Sequence, residues 1–287
     1  MKRLFFFILI ISVGFTDIKA QFPSAADLAR LRLAILHREI EPLYRRPSKK
    51  ELKTIEPHSE LSEKYSEFLR QPNTGLTKLI NDKGCADSTK VVVATESCLK
   101  YTMPGAGSSF SFRTENYRIA RLADMTFTDN SFQASGVLLH GIFVNVGDIS
   151  LEKVTLQTKG IKYLSEFQPE VNYVKAKQID SQLTKGIRQD GYLYRRGLYI
   201  VENATFVLRS IAYGGVYYRA VSGVTYNEFD FDERKDVIIA FRIVEKDFEG
   251  NITILWKKLQ EKKSPKIKRV KQNQTDVKDN NFVAGKK

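Results

Sequence analysis

Histidine is scarce in this chain, with three among 287 residues, and cysteine is scarcer, with two. His37, His58 and His140 stand in no metal-ligand spacing such as H-E-x-x-H, and the cysteines form no C-x-x-C pair. No metal and no cofactor is therefore expected. A G-x-S-x-G nucleophile elbow is also missing, which removes the usual sequence mark of an α/β-hydrolase. The early apolar run from Leu4 to Phe15 falls short of the roughly 18 to 20 residues that a membrane-spanning helix needs. No later stretch could span a bilayer, and no internal repeat is present.

What the first residues do contain is signal-peptide anatomy. Lys2 and Arg3 precede the apolar run, and Ala20 offers a small residue at a cleavage site. Residues 1–20 are thus read as a signal peptide. The mature protein is expected to be secreted or periplasmic and, once cleaved, not integral to a membrane. In such an oxidising compartment an even cysteine count favours a Cys85–Cys98 disulfide. With twelve residues between the partners, the bond would add roughly 3 kcal/mol on the chain-entropy model.

The chain is strongly basic, at +13 overall. Residues 266–287 carry seven Lys or Arg against two Asp and almost no apolar content, so a disordered basic tail is expected there. The remaining body is basic too. Export argues against nucleic acid as the partner and favours an anionic envelope surface, a glycan or another exported protein. Asn203, Asn251 and Asn273 each head an N-x-[ST] triplet, which matters only in a host that glycosylates such sites.

Residues 21–87 read as a helical amino-terminal segment. Ser24 with Asp27 and Ser48 with Glu51 have capping-box spacing. Leu28, Leu31 and Ile35 mark a first helix ended by Pro42, and Leu61, Tyr65, Phe68 and Leu69 a later one. Leu76, Leu79 and Ile80 suggest a further helix stopping at Gly84. From residue 88 to 265 the pattern turns to β. "KVVVAT" and "SSFSFRTE" are β-type runs, and Asp129-Asn130 predicts a hairpin that sets Phe127 opposite Phe132. One helix is expected near 171–186. Val237, Ile239, Phe241 and Ile243 alternate as on a strand with one well-buried face, returning through a turn at Gly250 to Ile252, Ile254 and Trp256. The fold class is α+β, an antiparallel β-rich domain, sandwich or strongly curved sheet, with the helical segment packed on it.

Three groups are candidates for chemistry. The acidic run "NEFDFDERKD" would place Glu228, Asp230 and Asp232 on one face of a strand, as paired carboxylates for acid and base work or as oxygen ligands, or else form a solvated strand end and turn offset by Arg234 and Lys235. His140 beside Gly141 is either a further catalytic candidate or a hydrogen-bonded histidine at a strand end. The third group is rich in tyrosine and arginine: Tyr192, Tyr194, Arg195, Arg196, Arg209, Tyr217, Tyr218 and Arg219. Seven of the thirteen tyrosines fall between Tyr192 and Tyr226, and such residues favour flat or anionic ligands, although both types also serve plain sheet architecture. "MPGAGSSF" has the glycines of a phosphate loop without its lysine and reads as a turn into a strand. These features together imply an exported non-enzymatic binding or structural module. The alternatives are an envelope-polymer hydrolase using carboxylates in 228–236, and a subunit docking to another exported protein.

Overall fold

The computed structural model describes residues 24–85 and 103–268. Residues 1–20, read above as a signal peptide, "KVVVAT", Cys98, Asn273 and the chain beyond Lys268 lie outside the described residues, and with Cys98 so does the expected Cys85–Cys98 pairing.

Two five-stranded antiparallel sheets form the body. The first runs in the order β1 (Thr74–Leu79), β14 (Ile252–Lys263), β13 (Lys235–Lys246), β10 (Thr205–Ala212), β6 (Leu139–Gly147). The second runs β3 (Asn116–Tyr117), β2 (Ser109–Ser111), β4 (Met125–Thr128), β5 (Ser131–Ala134), β9 (Gly197–Tyr199). Between them lies an aromatic core. Phe132 of the second sheet meets Phe241 and Phe206 of the first at ring separations of 4.9 and 5.4 Å, and Phe112 meets Trp256 at 5.5 Å. These are edge-to-face contacts, which the ring quadrupole favours.

The first sheet is buried on its other face as well. Ile142, Val144, Val207, Ile238, Ala240 and Leu255 pack there with Leu164 of α5 (Lys162–Glu166), Leu183 of α6 (Tyr173–Lys185) and Phe68 of α4 (Ser66–Leu69). The alternation in β13 therefore marks two cores: Val237, Ile239 and Phe241 face the aromatic one, and Ile238 and Ala240 face the helices. A strand central to three layers has no wet face to advertise.

Several local expectations hold. Both capping boxes are present, at Ser24 before α1 (Ala25–Ile35) and at Ser48 before α2 (Lys49–Thr54). Glu51 also takes the Arg45 fork at 2.7 and 2.8 Å. That bond is the main reason its carboxyl sits low, at about 2, with the Ser48 contacts adding to it against partial burial. Ser48→Ala should cost about 1 kcal/mol in chemical denaturation, and an unchanged midpoint would deny the cap any role. The Asp129-Asn130 hairpin has the expected register, with Phe127 opposite Phe132. Helix α6 starts at its Asn172 cap and ends at Gly186. Gly250, at φ 84°, closes the β13–β14 turn. The "MPGAGSSF" segment is a buried turn leading into β2, as its turn reading expected, with Gly105 and Ala106 both at positive φ.

The helix expected at Leu76 to Ile80 is instead the edge strand β1. Thr74 to Leu79 pair with Lys257 to Ile252 of β14. The Trp256 indole lies over Gly75, where an added Cβ would come within 2.3 Å of the ring, and its N–H donates to the Thr77 hydroxyl at 2.9 Å. The long β13–β14 hairpin offers a ladder that local helix preference cannot match. The amino-terminal segment covers the body only in part: Ile40, Tyr44, Ile55 and Phe68 are buried, whereas no residue of α1 is. At the other end Lys266 and Lys268 bridge to Gly214 and Asn172, so the first residues of the segment expected to be a disordered tail are ordered.

Candidate functional site

The acidic run does not form a strand. Asn227 ends β12 (Val224–Asn227), and its side-chain oxygen accepts from the Phe229 and Tyr217 amides, nucleating a 3-10 turn over Glu228–Phe231. A helical turn sends successive acidic side chains apart, so Glu228, Asp230 and Asp232 share no face. This corrects the strand reading. The side chains of Glu228 and Asp232 are fully buried, which overturns their solvation, although the run is a turn and Arg234 does pair with Asp232.

Glu228 accepts from Arg121 at 2.8 and 3.1 Å, from Tyr44 at 2.9 Å and from Arg219 at 3.1 Å. Burial alone would raise its carboxyl, but Arg121, with Tyr44 and Arg219, outweighs burial and holds it below the usual carboxylate range. The Tyr44 hydroxyl lies 2.7 Å from that of Tyr226. Burial first, then Tyr226 and Glu228, keep Tyr44 protonated far beyond neutral pH. Asp232 lies in a different arginine cage, accepting from Arg113 at 2.7 Å and Arg234 at 2.8 Å. Burial opposes its charge, and the two arginines again prevail and lower its pKa. Asp230 is exposed and takes the Asn227 amide at 2.6 Å.

The tyrosine and arginine group divides in two. Tyr194 is buried and donates to the Gly160 carbonyl at 2.9 Å, and Tyr192 covers Gly160. Arg195 pairs its backbone with Phe143, and Arg196 binds Asp180 at 2.5 Å. Arg209 is buried, with its guanidinium on Asp236 at 2.6 and 2.9 Å and on the Leu164 and Phe167 carbonyls. These five residues tie the first sheet to its helical layer. Tyr217, Tyr218 and Arg219 instead belong with the acidic turn. The Tyr217 ring stacks on Phe229 at 5.8 Å, Tyr218 is exposed, and Arg219 stands opposite Tyr226 in the hairpin of β11 (Tyr218–Val221) and β12.

His140 takes no part in either cluster. It is buried, with Nε2 2.9 Å from the Ala176 carbonyl and Nδ1 3.1 Å from the Tyr213 hydroxyl. The space beside it is about 10 Å³, room for a single water. Among the described residues no group of three or more His, Cys, Asp or Glu side chains is arranged to hold a metal.

A concavity lies where the β11–β12 hairpin meets α1. It is an open groove of about 760 Å³, walled by Leu28, Ala29, Arg32 and Leu33 of α1 and Leu36 beyond it, and by Val224, Thr225, Tyr226, Asn227, Asp230 and Phe231. The Tyr226–Tyr44–Glu228 chain of hydrogen bonds stiffens its floor. Sequence reasoning singled out the acidic run and Tyr217, Tyr218 and Arg219 but not the opposite wall, nor Tyr44 and Arg121. The one available signal was leucine in α1, which reads equally as core. No family model, no curated protein and no solved structure matches this chain.

Proposed function

We propose that the chain is an exported, non-enzymatic binding module whose ligand occupies the groove between α1 and the β11–β12 hairpin. The carrying observation is the groove itself: a cavity within the size range of small-molecule sites, mostly apolar, with a few polar groups at its rim. The arginine cages support binding over catalysis, because a carboxylate already filled by guanidinium forks is a weak base and no acid. The basic charge supports a negatively charged ligand.

The processed full-length chain should bind the anionic dye 8-anilinonaphthalene-1-sulfonate saturably at one site. Ala29→Trp, which fills the groove from an exposed helix position, should weaken that binding at least tenfold, whereas Arg195→Ala with Arg196→Ala should leave it unchanged. The reverse pattern would move the site to the helical layer.

A further inference from the structure

We infer that α1 is a lid over the groove, hinged at the turn that follows it and latched by an ion pair between Arg32 and Asp230. The structure shows the lid raised. Helix α1 buries none of its residues, and Leu28, Leu31 and Leu33 are 44%, 57% and 54% exposed. A helix of eleven residues is marginal in water without tertiary packing, so this one needs a surface to rest on.

The hinge has a cause in the sequence. Pro42 has no N–H for the Arg38 carbonyl, and in a regular helix its ring would strike that carbonyl. The chain therefore widens into a π-turn over Leu36–Ile40, where the Glu41 N–H donates to the Leu36 carbonyl, before a 3-10 turn takes in Pro42. Helices bend at such turns. Beyond the hinge the chain is fixed, because Ile40 and Tyr44 are buried. The Ser222 hydroxyl, at the tip of the β11–β12 hairpin, donates to Glu39 and pins the pivot beside that hairpin.

The two walls of the groove complement each other. Ile35 and Leu36, like Val224 and Phe231 opposite, already pack on the buried cluster of Ile40, Tyr44 and Tyr226. Lowering α1 extends that cluster to Leu33 and Leu28, which line the groove. Among the described residues the Arg32 side chain has no partner, whereas the lining carries two carboxylates, Glu41 and Asp230. Glu41 holds the His37 ring at 2.9 Å on the α1 side; Asp230, on the facing wall, takes the Asn227 amide on Oδ1 alone. Closure brings the unpaired guanidinium of one wall to the exposed carboxylate of the other.

That the lid serves ligand binding rests on the groove being the site; its closure does not. Hydrogen exchange on the processed full-length chain reads the closure without a ligand. The amides of Leu28 to Ile35 should exchange at least tenfold more slowly than in the unfolded chain. Arg32→Glu and Asp230→Arg should each cut that protection about threefold, the size of an exposed ion pair, and the two together should restore it. Leu33→Glu, nearly neutral for helix propensity, should remove it with the thermal midpoint unchanged. Bound 8-anilinonaphthalene-1-sulfonate should leave faster from either single charge variant and at the parental rate from the double swap. Parental α1 amides that exchange as in the unfolded chain, or protection that Asp230→Arg leaves unaltered, overturn the lid. So does a dye that Asp230→Arg retains longer, the effect of a cation placed beside an anion with no latch between the walls. Protected α1 amides in a chain that binds no dye uphold the closure and bring down the groove reading alone.

Discussion

Replacing Arg113 by leucine should lower the unfolding free energy by about 3–5 kcal/mol, the usual cost of orphaning a buried charge. Its side chain is fully buried and joins the segment between β3 and β4 of the second sheet to the acidic turn. Nε donates to Asp124 at 2.7 Å, Nη1 to Asp232 and the Glu233 carbonyl, each at 2.7 Å, and Nη2 to the Leu122 carbonyl at 2.8 Å. Leucine fills much of the volume but leaves Asp124 with only hydroxyl and amide donors, from Ser111, Ser210 and the Arg113 backbone. Asp232 keeps Arg234.

Lysine should rescue little, because one ammonium cannot reproduce a fork serving two carboxylates and two carbonyls. Arg113→Leu combined with Asp124→Asn should recover part of the loss, since the asparagine carries no orphaned charge. A pH signature accompanies the change. The pKa of Asp232 is depressed by Arg113 and Arg234 against its burial. Its contribution is complete above the unfolded carboxylate pKa and is lost as pH falls through the lower folded value. Removing Arg113 should raise that folded value and move the acid limb of the stability profile toward neutral pH. Urea melts from pH 3 to 7 measure both effects, and a loss under about 1 kcal/mol at pH 7 would mean that the cage adds little.

The parts of this fold that were legible in the sequence are those set by neighbours along the chain. Ser24 with Asp27, Ser48 with Glu51, Asp129-Asn130, Gly186 and Gly250 each fix a cap or a turn by local sterics and short hydrogen bonds. Fourteen residues apart or a hundred, the same chemistry leaves no mark. Leu76 and Leu79 have helical spacing, and only Trp256 and the β14 ladder make them a strand. The run from Glu228 to Asp232 alternates as a strand would, but its carboxylates are placed by Arg121, Arg219, Arg113 and Arg234, which come from three separate parts of the chain. Arginine and tyrosine clustered by sequence were parted by the fold: Arg209 went to Asp236 and the helical layer, Arg219 to Glu228. The groove was least legible of all, because its α1 wall is apolar in the same way a core helix is apolar.

Acid should weaken the fold through His140 before it reaches the carboxylates. Burial is the main cause that lowers this imidazole from 6.5 to about 4; Arg196 adds to it, and the Ala176 carbonyl opposes it. The neutral ring suits its site, donating to the Ala176 carbonyl and accepting from the Tyr213 hydroxyl. A folded pKa below the unfolded one means that the unfolded chain takes up the proton first. Stability is therefore full above pH 6.5 and falls as pH drops toward 4, by about 3 kcal/mol over that window. His140→Asn loses the edge-on contact with Tyr213, whose ring lies 5.1 Å away, and should be less stable than the parent at pH 7. Its stability should nonetheless change far less between pH 6.5 and 4.5, where few carboxylates titrate, and the two profiles should converge on acidification. Parallel profiles across that window would show that His140 titrates normally, and the buried neutral imidazole would have to be given up.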